Sequence, residues 1–195
     1  MRKIEEYKKE LLTLDIMKAN LYAIVAIIPV LILYVVPFIL LWPQTFSKVA
    51  LKNLMDNYNL GIWGNMSVIL LVITIGIITH ELIHGITWGM FTKNGFKSIK
   101  VGILWKILTP YCHCSEPLKV KHYIAGAIMP AIILGLFPLV YSLFTGNVLW
   151  LFFAFFFTMS TVGDLMIVNL VRKEDMNSFV LDHPSEVGFY VFRKE

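Results

Sequence analysis

Charge is scarce in this chain and cysteine scarcer still: Asp, Glu, Lys and Arg make up 15% of 195 residues, and Cys112 and Cys114 are the only thiols. So few charges against 57% hydrophobic residues exclude an ordinary water-soluble surface. Two cysteines one residue apart exclude a disulfide-stapled scaffold. Lys and Arg are missing from four apolar runs, 21–42, 66–91, 123–144 and 148–171. Each run is long enough to cross a hydrocarbon core of about 30 Å as a helix. No internal repeat or low-complexity stretch is present. The first run also lacks the marks of a signal peptide: acids (Glu5, Glu6, Glu10, Asp15) precede it, it is too long, and no small-residue cleavage site follows. It reads as a retained anchor.

The 17 Lys and Arg residues are distributed in alternation. Five lie in the arm 1–20, two (Lys48 and Lys52) in the loop 43–65, six in the loop 92–122, none in Thr145-Gly146-Asn147 and four in the tail 172–195. Positive charge stays on the cytoplasmic side, so the expected location is the cell membrane, multi-pass, with both termini cytoplasmic. The net charge of +4 is then accounted for by topology and anionic headgroups of the lipid bilayer, and no nucleic acid is called for. The expected fold class is an all-α integral membrane protein, a single membrane domain over 1–195. It has four transmembrane helices and a small membrane-associated β-hairpin or strand segment in the second, cytoplasmic loop.

Within the arm, Ile4, Tyr7, Leu11 and Leu14 recur at helical spacing, which predicts an amphipathic helix on the membrane surface. In the loop 92–122, Ile99, Val101 and Ile103 alternate with Lys100 and Gly102 and predict a strand, with 105–116 as its partner. Cys112-His113-Cys114 has no second ligand pair and reads as part of that partner strand rather than as a metal site. Gly188–Phe192 is also strand-like and is expected to extend the same small sheet. Gly85 and Gly89 make a small-xxx-small pair that would admit a neighbouring helix.

The chemistry is concentrated in the second run. His80-Glu81-Leu82-Ile83-His84 places two imidazoles at i and i+4 on one helix face, where both can reach one metal ion, with a carboxylate beside them. His and Glu inside a bilayer are costly and mark function. A mononuclear zinc needs a third protein ligand, and the only acid in another run is Asp164. His84 lies nine residues before the first cytoplasmic base and Asp164 eight, so both sit at about the same depth of 12–14 Å along a helix. His113, Glu116, His122 and His183 are the other candidates for that position, with His122 foremost among them. Ser160 and Thr161, one turn before Asp164, could orient its carboxylate or cap the helix backbone.

The segments His80–Gly85, Cys112–Leu118, Pro130, Gly163–Asp164 and Asp182–Val191 together resemble a family of small bacterial membrane proteins classed as putative zincin peptidases of unknown function. The resemblance runs from about residue 60 to the end, and is broadly similar to site-2 proteases. It implies two histidines and one aspartate on Zn2+, here His80, His84 and Asp164, with Glu81 as general base and a strand segment that holds an unwound substrate. Two departures stand out: Gly126–Ile133 has Ile where site-2 proteases often have Asn after Gly-Pro, and Gly163 precedes Asp164 instead of following it. The oxyanion donor is left open. The expected function is a zinc-dependent intramembrane metalloprotease acting on a membrane protein or peptide. The alternatives are a non-proteolytic zinc-binding membrane protein, as carrier or assembly factor, and a zinc hydrolase acting on lipid or a small amide.

Overall fold

Long apolar runs satisfy their backbone as helices, and the short β-branched runs between them pair as strands. The computed structural model describes residues 7–104, 109–184 and 186–194. It begins with β1 (Tyr7–Thr13), α1 (Ile16–Leu41), α2 (Lys48–Asn57) and α3 (Gly61–Gly89). A hairpin, β2 (Ile99–Leu104) and β3 (Thr109–Cys114), and the short β4 (Leu118–Lys119) lead into α4 (Val120–Pro130). A π-helical stretch over Ala131–Leu136 joins α4 to α5 (Phe137–Thr145). Then follow α6 (Val148–Ser160), α7 (Val162–Val171), β5 (Phe179–Asp182) and β6 (Gly188–Lys194).

Among the described residues, three helical stretches are long and apolar enough to cross a membrane: Met17–Leu41, Gly61–Gly89 and Val120–Thr145. The pair α6 and α7, broken at Thr161, makes a fourth if it counts as one span. Large apolar side chains stand open on these helices, with Leu70 67% and Phe144 81% exposed. Water would penalise such a surface.

The chain divides into two compact units. One, residues 25–79 and 131–160, is helical and has Tyr34, Phe38, Leu139, Val148, Leu151 and Ala154 at its core. In it the Tyr34 and Thr158 hydroxyls share a hydrogen bond of 2.5 Å. The turn from α5 to α6 needs glycine at 146, where φ is +68°, and its N–H donates to Ser142 O at 2.8 Å.

The other unit holds the described residues of 1–24, 80–130 and 161–195. Its sheet has the order β1-β6-β5-β4, antiparallel throughout, and β2 and β3 form a separate two-stranded sheet. Val180, Phe189 and Val191 from the larger sheet pack with Val120, Tyr123 and Val171 in its core.

Three expectations are corrected here. The tail strand β6 does not extend the hairpin but pairs with β1 and β5. The arm is a strand over Tyr7–Thr13, not a helix, because seven residues pair in register with β6 and Leu12 packs on the core. Arg193 on β6 reinforces that pairing with hydrogen bonds to Glu10 and, through two of its nitrogens, to Glu174. Finally, Gly85 and Gly89 receive the hairpin and the segment before it and not a transmembrane helix: a Cβ on Gly85 would lie 3.0 Å from Ile99 and 3.2 Å from Cys112 Sγ, and one on Gly89 2.6 Å from Phe96. Ile4 and residues 105–108 of the predicted partner strand lie outside the described residues.

Candidate metal centre

The helical period of α3 sets His80 and His84 one turn apart on a buried face, and α7 presents Asp164 to them. His80 Nε2 lies 3.1 Å from Asp164 Oδ2 and 3.1 Å from His84 Nε2, and His84 Nε2 is 3.4 Å from Asp164 Oδ1. His84 Nδ1–H donates to the Gly126 carbonyl at 2.9 Å, so its Nε2 carries a lone pair. Three electron-pair donors therefore converge with at most one proton among them. A cation would satisfy all three. Four-coordinate zinc with bonds of about 2.0 Å separates its ligands by roughly 3.3 Å, which the observed spacings match. Among the described residues, these three form the group of His, Cys, Asp and Glu able to hold one ion, their ligand atoms within 4.8 Å of one another. Among the described residues His80 Nδ1 is buried without a hydrogen-bond partner.

The orientation of His84 is traceable to two residues of α4. Pro130 has no N–H, so the helical bond that position 130 would make to the Gly126 carbonyl is absent, and that oxygen is left for His84. Glycine at 126 makes room for the ring behind it, since a Cβ there would lie 2.0 Å from Trp88 Nε1. Trp88 stacks on His84 at 5.0 Å and on Tyr123 at 5.3 Å, and its indole N–H donates to Tyr123 O at 3.0 Å. Replacing Pro130 by Ala supplies a competing N–H, and replacing Gly126 by Ala displaces Trp88. Each variant should weaken zinc binding by about 10–100-fold, the usual cost of losing a group that orients a ligand. Competition with a chromophoric chelator measures it, and unchanged affinity in both would remove the orienting role.

Glu81 lies beside the triad and lines a cavity of about 200 Å³ together with His84 and Asp164. The backbone of Cys112 lies within hydrogen-bonding reach of its carboxylate. The cavity is lined by β3, at Pro110–His113, and by the connection from β5 to β6, at His183, Pro184 and Glu186–Gly188.

The other candidate ligands are placed elsewhere. Glu116 accepts from the Ser98 hydroxyl and from the Lys93 and Asn94 N–H groups, donors that hold its carboxyl below the usual range. His122 stacks on Phe91 at 4.1 Å. His113 and His183 line the cavity wall, with His113 Nδ1 3.9 Å from Asp182 Oδ2 and burial pushing its pKa down. The strand reading of Cys112 and Cys114 agrees with β3. Burial pushes their thiols up to about 12 and about 11, so both are protonated at neutral pH. Ser160 caps backbone, donating to Phe157 O at 2.7 Å.

Sequence reasoning did not single out Asp182. Its carboxylate accepts from Tyr123 O–H at 2.5 Å and from Cys114 N–H at 2.8 Å, and burial raises its pKa against the pull of those two donors. The available signal was its phase: in Phe-Val-Leu-Asp the aspartate shares the strand face of Val180, a position that packing fills with an apolar side chain.

A family model described as Putative zincin peptidase matches residues 65–179, a stretch that holds His80, Glu81, His84 and Asp164. No curated protein and no solved structure matches the chain.

Proposed function

The chain belongs to the family described as Putative zincin peptidase, and from that premise we propose that it is a zinc-dependent peptidase that works within the membrane. Membership implies a zinc cofactor, and in this reading His80, His84 and Asp164 hold it while Glu81 is the general base. One observation carries the reading: two imidazole nitrogens and a carboxylate converge at 3.1–3.4 Å, and two of the three, His84 and Asp164, share a cavity with a glutamate that is not one of them.

Bound zinc would supply a water of lowered pKa and a polarised carbonyl. Glu81 takes one proton from the attacking water as its oxygen joins the carbonyl carbon, then gives that proton to the amide nitrogen as the C–N bond breaks. His84, held by the Gly126 carbonyl and clamped against Trp88, stays oriented through both steps. The strand β3 beside Glu81 offers backbone carbonyls to an extended segment, so the substrate is an unwound stretch of a membrane protein or peptide. The exposed apolar helices and the alternating basic loops support a multi-pass protein with both termini cytoplasmic.

Purified protein supplied with zinc should cut fluorescently labelled membrane proteins, with a chelator stopping the reaction. Release of labelled lipid products alone would reassign the site to a lipid hydrolase. Zinc bound with neither product formed from a broad substrate set would favour a carrier or assembly role. A reporter fused after Thr145 should face away from the cytoplasm, and a cytoplasmic reporter would refute the topology.

A further inference from the structure

We infer that Asp182 is a positioning residue of this site: it closes the edge of β3 at Cys114, so that an extended substrate pairs only along Pro110–Cys112, beside Glu81. The inference rests on the peptidase reading above. Asp182 lies beyond the segment that the family model matches, which ends at residue 179.

The register of the hairpin fixes which backbone groups face the cavity. Ser115 N–H donates to Ser98 O at 2.8 Å, and the pairing runs on through Lys100 with His113 and Gly102 with Tyr111. In an antiparallel ladder, alternate residues bond to the partner, so Pro110, Cys112 and Cys114 turn their backbone groups to the edge away from β2. Proline has no N–H to offer there. The Cys114 N–H is taken by Asp182 Oδ2 at 2.8 Å, and the Cys112 backbone is in reach of Glu81. What the edge presents to a substrate is therefore carbonyls, at Pro110 and Cys112, and Asp182 stands where the strand could otherwise be prolonged.

The same carboxylate is anchored to α4 as well. Its second oxygen accepts from Tyr123, which stacks on Trp88, which stacks on His84. Asp182 is buried on the apolar face of β5, where a carboxylate is costly unless both oxygens are held. A packing role would be met by a valine. The two donors, Cys114 N–H and Tyr123 O–H, lie 68 and 59 residues away in sequence and meet at this one side chain.

The test compares two probes on zinc-loaded protein in detergent. Acetohydroxamate engages the metal alone, whereas a peptidyl hydroxamate adds an extended backbone that must lie along β3. Asp182→Asn, whose amide NH2 opposes one of the two donors, should bind acetohydroxamate as the wild type does. Its affinity for the peptidyl probe should fall about tenfold, because the edge on which that probe pairs loses one of the two internal bonds that hold it in line. An unchanged ratio of the two affinities overturns the inference, and so does an equal loss for both probes, because Asp182 would then act on the metal or on the whole fold. If Asp182→Asn does not fold, Tyr123→Phe carries the test, since it removes one donor and leaves the Cys114 bond. A selective loss for the peptidyl probe supports the inference and an unchanged ratio refutes it. Wild-type protein that holds zinc and binds neither probe would overturn the peptidase reading itself, a result distinct from an unchanged ratio.

Discussion

Glu81→Gln should retain about one zinc per chain and lose cleavage of any substrate by about 10²–10⁴-fold, the range that a positioned general base contributes. That factor corresponds to roughly 3–5 kcal/mol of barrier. The reason is spatial. Glu81 is next in sequence to His80 but is not among the three residues whose ligand atoms converge, and it lines the cavity with His84 and Asp164. Glutamine keeps the size of the side chain and its hydrogen bonding while removing the basicity. Zinc analysis and a fragment assay on the same preparation separate the outcomes. Wild-type cleavage in the variant would refute the base, and loss of zinc would make Glu81 a ligand.

His84→Ala and Asp164→Ala should each release the metal during gel filtration in zinc-free buffer, while wild-type protein keeps about one equivalent. Either change removes one of three protein donors, a larger loss than the about 10–100-fold that orienting partners cost. His84→Ala also leaves the Gly126 carbonyl without its imidazole partner. Helical circular dichroism should be unchanged in both, because neither residue carries the packing of the apolar core. Zinc retained in Asp164→Ala would move the third position to His113 or His183, the imidazoles that line the same cavity.

The candidate site was legible where one helix carries it. His80 and His84 share a face because the helical period says so, and Asp164 drew notice as the single acid in another apolar run. The structure brings the three together across 84 residues of chain. It also explains the proline of α4, which was read only as a mark of resemblance, as the reason a carbonyl is open for His84. The arm was misread for the opposite reason. Its spacing of three and four residues is helical, but unpaired backbone on β6 offered it a seven-residue ladder, and pairing outweighed spacing.

What this sequence determined by itself is local: which stretches are long and apolar enough to be membrane helices, which alternate as strands, and that two imidazoles and a carboxylate share one helical turn. Only the tertiary structure decided that β6 pairs with β1 and not with the hairpin, and that Asp182 meets Tyr123 and Cys114. Periodicity sets the direction of a side chain relative to its own backbone. The partner it meets depends on how distant segments close on one another, a balance of loop entropy, burial and hydrogen bonding over the whole chain that no short pattern contains.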